Sequence, residues 1–457
     1  DTASVDVQEH ANASGPLLMT LGIKLDSVDR ALWNLDRIDQ RHLPLDGIYR
    51  FGSSALRGTG QGVTIYSVDS GVYADHNEFR PWPDAATEVS EQGTSRPGSR
   101  AIYGYDFVDG DKVAADCDGH GTHVASSAVG RSVGVARGSR LVAVRVLDCS
   151  GSGTIADTVA GLDWVARNVQ LPAVAMMSLG VPAGSWSDVL SESVRTLVQK
   201  HGVVVVVASG NSAVDSCTVV PANVPEVLTV AASNMENKFG PGARGGRESM
   251  YQWANTGACV DLFAPGVEIF GACGGGDRCA AMTPGAYTWA SGTSMAAPLV
   301  AGVAALYLEA HPQARPEEVA AALLAGASEG AVRDERMLPG TPNRLLYSRL
   351  DALVSEAPQE ISLSQHLAPP PIIPSPRPRL LLPSSPRMPP PQQPSPRLQP
   401  QLQVQPQQKP RKLDQQQQQH QQHQQQRWVR AGGNLNAATA TTATAAITGT
   451  STNFPRH

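Results

Sequence analysis

The chain has 457 residues, 41% of them hydrophobic, with 35 Pro, six Cys and a formal net charge of −5. That average hides two compositions, because beyond Glu360 there is one acidic residue, Asp414, against ten Lys or Arg, so the body is strongly acidic and the tail basic. An acidic body lacks the clustered cations that counterion release requires, which excludes nucleic acid as its partner. The longest apolar stretch, Met295 to Leu308, falls short of the roughly 20 residues of a membrane span and is interrupted by Pro298 and Gly302, so a soluble protein is expected.

In chain order, Val63 to Val68 reads as the first buried strand and Leu141 to Leu147 as the second, followed by a helix from Thr154 to Asn168. Val174 to Ser178, a helix from Asp188 to His201, Val203 to Ala208 and Val227 to Ala231 continue the alternation. Helices from Ser294 to Ala310 and from Pro316 to Leu324 complete it; the second has Pro316, Glu317 and Glu318 in its first turn, where a missing N–H costs nothing and the dipole favours acids. Strands that are continuous apolar runs are buried on both faces. The expected fold is therefore α/β, a doubly wound, mainly parallel sheet with helices on both faces, whose functional residues follow the carboxyl ends of strands. After about Val354 the pattern stops. Residues 353–457 are Pro/Gln-rich and then Ala/Thr-rich, unable to bury enough apolar surface to offset chain entropy, and are read as a disordered tail.

The six Cys all lie between Cys117 and Cys279, an even number confined to the body. This fits three disulfides in an oxidising compartment, with the pairing left open by number and spacing. There is no C-x-x-C pair and no His beside the Cys, so a zinc site is not expected. The chain opens on Asp1 without a charged-then-apolar leader, and its true start is expected to have been removed.

Three segments carry chemistry. The first strand ends in Ser67-Val-Asp69-Ser-Gly71; a Gly-flanked histidine follows in Asp118-Gly-His120-Gly-Thr-His123; and Ser291-Gly-Thr-Ser294-Met-Ala-Ala-Pro298 leads into an apolar helix. A serine hydroxyl is a weak nucleophile until a base takes its proton, and the base needs a carboxylate to fix its tautomer. Asp69, His120 and Ser294 can supply those three roles, in the chain order that subtilisin uses.

From about Trp33 to Tyr347 the chain resembles the subtilisin-like serine proteases, more narrowly the proteinase K and aqualysin branch. Val144-Arg-Val-Leu-Asp-Cys-Ser-Gly-Ser-Gly153, Ala208-Ser-Gly-Asn211 and Cys259-Val-Asp-Leu-Phe-Ala-Pro-Gly266 carry the likeness further. The resemblance implies a secreted serine endopeptidase over residues 33–352, with Asp69 orienting His120, His120 as general base and then acid, and Ser294 as nucleophile. His123, in the same motif, is read as structural. Asn211 matches the family's oxyanion donor and would act with Ser294; subtilisin itself is the source of the estimate that losing such a donor costs about 10² to 10³ in turnover.

The resemblance also implies that a peptide substrate pairs with Ser150, Gly151, Ser152 and Gly153 on one side and Ser178, Leu179 and Gly180 on the other. The pocket walls at Ser178 to Gly180 and at Ala208, Ser209 and Gly210 contain no acid, so apolar or aromatic side chains are expected before the cut. By the same likeness Cys117 pairs with Cys149, Cys217 with Cys259 and, as a third bridge, Cys273 with Cys279. A structural calcium ion is implied at Pro225, Val227 and Asp261. Protein or peptide substrates, an inhibitory propeptide of which residues 1–32 are a remnant, and a monomer in an extracellular, secretory or vacuolar compartment complete the expectation.

The chain departs from the family pattern at Ser126-Ser127 after the histidine motif, at Leu299 after the nucleophile, and in an insertion-like stretch from Asn234 to Trp253. None removes a triad member. Two rival readings stand beside the protease: an inactive or self-inhibited subtilisin-fold binding protein, and a matrix protein whose tail is the working part.

Overall fold

The computed structural model describes residues 32–51, 58–81, 98–184, 187–238, 245–276, 279 and 282–349, with the backbone of 5–9 and 19–24. The expectation for the tail at 353–457 lies outside these residues. Near the start, β1 (Val5–Glu9) pairs antiparallel with β2 (Met19–Lys24). After the short helix α1 (Trp33–Ile38) comes β3 (Ile48–Phe51), which pairs antiparallel with β2, Leu21 opposite Phe51. Main-chain pairing thus ties the N-terminal segment to the residues that follow it.

The chain then alternates strand and helix through β4 (Thr64–Asp69), β5 (Ala101–Asp106), α2 (His120–Val129), β6 (Arg140–Arg145), α3 (Ile155–Asn168) and β7 (Ala173–Met177). The two-residue β8 (Val181–Pro182) precedes α4 (Asp188–His201) and β9 (Val204–Ala208), and β10 (Val219–Val220) pairs back onto β8. Next come β11 (Leu228–Met235), β12 (Glu248–Met250), β13 (Leu262–Pro265) and a hairpin of β14 (Ile269–Ala272) with β15 (Tyr287–Ala290). Helices α5 (Thr293–Ala310) and α6 (Pro316–Gly326) and the short strands β16 (Ser328–Glu329) and β17 (Arg344–Leu345) follow.

Ten of these strands form one sheet in the order β16-β17-β13-β11-β9-β7-β4-β6-β5, with β12 alongside β11. All neighbours are parallel except β16 and β12. The run Val203-Val-Val-Val-Val207 shows why. Val204 and Val206 face the core shared with α2 and α5, while Val203, Val205 and Val207 face the core shared with α3 and α4. A strand covered on both faces can be valine throughout, because β-branched side chains suit the pleat and neither face meets water.

Helix α5 is the one described helix with the length and apolarity to cross a bilayer, yet it is buried within the protein against β7, β9, β11 and α2. Its apolar surface is the core of one face of the sheet. Helix α3 starts at a cap in which Thr154 Oγ1 accepts the Asp157 N–H at 3.0 Å, so the helix itself begins one residue inside the stretch read from sequence.

Candidate active site

Asp69 is the last residue of β4, buried at the carboxyl edge of the sheet. His120 opens α2, and its Nδ1 lies 2.7 Å from Asp69 Oδ1. An ionised carboxylate can only accept, so Nδ1 carries the proton and Nε2 is left as the basic nitrogen. The Ser70 N–H donates to the same oxygen at 2.7 Å.

A buried carboxylate arranges this corner. Asp116 Oδ1 accepts from Ser70 Oγ (3.0 Å), the Asp118 N–H (3.1 Å) and the Gly119 N–H (2.8 Å), and Oδ2 accepts from the Thr122 N–H (2.8 Å) and Thr122 Oγ1 (2.5 Å). The Gly121 N–H donates to Ser70 Oγ at 2.9 Å, so the first turn of α2 is stitched to the residue after Asp69. Burial pushes the Asp116 carboxyl up, while the hydrogen bonds from Thr122, Gly119 and Ser70 oppose the shift. Nothing in the local string around Asp116 announces this role; its partners are spread from Ser70 to Thr122.

Ser294 is the second residue of α5, which packs against α2 and β4. First-turn N–H groups of a helix lack intrahelical partners and carry its positive dipole end. Ser294 Oγ lies 3.2 Å from the Ser178 carbonyl oxygen, and Ser178 Oγ donates to the Ser294 carbonyl at 3.0 Å. Asn211 is exposed, in the loop after β9. Its Oδ1 accepts from the Thr293 N–H at 2.8 Å and from Thr293 Oγ1 at 3.1 Å. Because a backbone N–H can only donate, the amide orientation is fixed with Nδ2 as its outward donor. Gly292, two residues before Ser294, lies so close that a β-carbon there would be 3.3 Å from this nitrogen.

The remaining sequence-derived residues fall as follows. His123 is buried, with Nε2 3.1 Å from the Ile269 carbonyl oxygen on β14. Ser126, at a position where the chain departs from the family pattern, bonds the His123 carbonyl and accepts the Ala272 N–H, tying α2 to the β14–β15 hairpin. Ser178, Leu179 and Gly180 follow β7 beside Ser294, and Ala208 ends β9, with Ser209 and Gly210 after it leading to Asn211. Ser150 and Gly151 lie in a turn closed by the Gly151 N–H on Asp148 O at 3.0 Å; Ser152 and Gly153 follow it, with Gly153 bridged to Leu147. The Asp148 carboxylate gathers the Ser150 and Ser152 N–H groups into this turn.

Disulfides join Cys117 to Cys149, Cys217 to Cys259 and Cys273 to Cys279. Asp261 sits beside the segment running from Pro225 and Val227 into β11; its Oδ2 accepts the Thr229 N–H at 2.7 Å, and burial pushes its carboxyl up to about 6. A half-buried carboxylate with one oxygen free of protein donors among the described residues is a ligand of the kind that suits a hard divalent cation. Two acids that sequence reasoning passed over, Asp36 within α1 and Asp39 at its C-terminal end, are buried and pushed up to about 7 and about 8 by burial.

Comparison with known proteins adds to this geometry. The model of the subtilase family matches residues 60–346. The chain is similar to the alkaline serine exoprotease A of Vibrio alginolyticus, 44% identical over 322 residues, covering 70% of this chain and 51% of that protein. It is also similar to the extracellular serine proteinase of Thermus sp. (strain Rt41A), 42% identical over 318 residues, covering 70% of this chain and 66% of that one. A crystal structure of a cold adapted subtilisin-like serine proteinase superposes with a TM-score of 0.57 at 42% identity, covering 70% of this chain and 98% of the other.

Proposed function

Because the chain belongs to the subtilase family, we propose that it is a serine endopeptidase working through an acyl-enzyme, with Asp69, His120 and Ser294 as its triad. The observation that carries this reading is the 2.7 Å contact between Asp69 Oδ1 and His120 Nδ1, with Nε2 left as a base. In the first step Ser294 Oγ attacks the scissile carbonyl carbon while His120 Nε2 takes its proton, and Asp69 stabilises the imidazolium. The oxyanion accepts from Asn211 Nδ2 and the Ser294 N–H, donors held in place before the charge develops. His120 then protonates the leaving amine; water, deprotonated by the same nitrogen, attacks the ester and restores Ser294.

Residues 33–352 are proposed as the peptidase domain, with Ser150 to Gly153 and Ser178 to Gly180 flanking an extended peptide. Pocket walls without an acid favour apolar or aromatic side chains before the cut. Asp261 with the carbonyls of Pro225 and Val227 would hold calcium, which when bound cross-links the β11 and β13 entries and takes no part in the chemistry. Three disulfides and relatives whose names include an extracellular proteinase support a location outside the cytosol. A monomer made with an inhibitory propeptide, leaving residues 1–32 as its remnant, and a tail not needed for the chemistry complete the proposal.

Labelling of the folded protein by a fluorophosphonate, abolished in Ser294→Ala, tests the reading. Folded protein that takes no label and cleaves no peptide would instead be a binding protein on a protease fold.

A further inference from the structure

Asn255 lies between β12 and β13, far from Asn211 in sequence, and is 1% exposed. Its Nδ2 donates to the Ser209 carbonyl at 2.9 Å, and its Oδ1 accepts the N–H groups of Ser212 at 2.9 Å and Val214 at 3.2 Å. Its own backbone adds two bonds to the same loop: the Asn255 N–H donates to Gly210 O at 2.8 Å, and Ser209 Oγ donates to Asn255 O at 2.9 Å. One side chain and its peptide therefore grip the loop on both sides of Asn211.

The loop is shaped to this amide. Gly210 has φ +103°, and a β-carbon there would lie 2.3 Å from Asn255 Nδ2, so both the backbone conformation and the close approach require glycine. Asp at position 255 would set an oxygen against the Ser209 carbonyl, and Ala would leave one buried acceptor and two N–H groups unpaired. On its other side Asn211 is gripped by the Thr293 N–H at the head of α5.

We propose that Asn255 is a positioning residue for the oxyanion donor, holding the Ser209–Val214 loop so that Asn211 Nδ2 meets the oxyanion without reorganisation. The inference rests on the role assigned to Asn211 above. Donors of this kind work because they are fixed before charge appears, and a misplacement of about 1 Å costs on the order of 10²-fold. Asn255 touches no substrate; it acts through Asn211.

A double-mutant cycle on the full chain, with kcat and KM measured on a chromogenic peptide and normalised to titrated active sites, tests this. Asn255→Ala is expected to lower kcat by about 10- to 100-fold with KM little changed, and to lower it by less than about twofold when Asn211 is already Ala, since the donor it positions is gone. Equal losses in both backgrounds, or no loss in the parent, would overturn the proposal by reducing Asn255 to a general stabiliser. Asn211→Ala with unchanged kcat would instead sink the oxyanion assignment, a result distinguishable within the same cycle. If Asn255→Ala does not accumulate as folded protein, Asn255→Asp is carried through the cycle in its place, with the same two criteria.

Discussion

Ser178 and Ser294 exchange hydrogen bonds, each hydroxyl donating to the other's carbonyl oxygen, at 3.0 and 3.2 Å. The reason lies one turn along α5. Pro298 has no N–H, so the Ser294 carbonyl four residues earlier has no helical donor, and the Ser178 hydroxyl replaces it. The proline that breaks the apolar run in the sequence thus opens a place at Ser294 for a side chain from β7's exit.

Ser178→Ala is expected to leave that carbonyl unpaired and the α5 head less firmly held. A loss of about 1 to 3 kcal/mol in stability is predicted, with a fall in kcat larger than any change in KM. Denaturant melts and steady-state kinetics on the same preparation measure both.

Gly121→Ala should be far more damaging to turnover than its size suggests. A β-carbon at Gly121 would lie 2.2 Å from the Gly71 carbonyl oxygen, a backbone atom that cannot swing away. The first turn of α2 would move off β4 and take His120 with it, and kcat/KM should drop on the order of 10²-fold. An unchanged kcat/KM in Gly121→Ala would show that the close approach does not set the Asp69–His120 contact.

Stability should fall as pH rises from about 4 towards 8. Asp36 and Asp39 have folded-state values raised to about 7 and about 8, burial outweighing the Gly47 and Arg50 N–H groups that favour ionisation. Unfolded carboxyls titrate near 4, so between the two values the folded chain binds more protons and loses stability as they leave. Melting temperatures taken across that range at fixed calcium should decline for the parent and flatten in the Asp36→Asn/Asp39→Asn pair.

Chelator should lower the melting temperature of the parent but not of Asp261→Asn. Ligand at about 100 times its Kd adds about 2.7 kcal/mol, a shift that scanning calorimetry resolves. A parent whose melting is indifferent to chelator would remove calcium from the proposed function.

The bridges should differ in weight. Cys217 and Cys259 are 42 residues apart, and Cys273 and Cys279 are 6 apart; on loop-closure entropy, opening the first by paired Ser substitution should cost about 4 kcal/mol and the second about 2. Equal costs would point to native-state packing rather than chain entropy as the main contribution of these bonds.

What could be read from the sequence follows the reach of each interaction. The apolar strands β7 and β9 were legible because their burial is written in consecutive residues, and the helices α3 and α4 because theirs recurs at helical spacing. Strand β5 was not: its Ala-Ile-Tyr-Gly-Tyr-Asp run mixes buried and half-buried positions and carries an irregularity between Tyr103 and Tyr105. The Asp69, His120 and Ser294 segments were visible as short strings. Asp116 and Asn255 were not, since Asp116 meets the distant Ser70 hydroxyl and Asn255 collects the Ser209 carbonyl and the Ser212 and Val214 N–H groups from another loop, and no local pattern records which loops will meet. Asp36 and Asp39 resemble surface acids in a helix until α1 is seen to be buried along its whole length.

The three disulfides have one more consequence for a chain of this family. A protease in concentrated solution is surrounded by copies of itself, and loops are where it would be nicked first. A single backbone cut between Cys117 and Cys149, between Cys217 and Cys259 or between Cys273 and Cys279 leaves both new ends within one covalent molecule. The first of these arcs contains His120 and the second begins six residues after Asn211, so damage from autolysis there can open a loop without shedding the site.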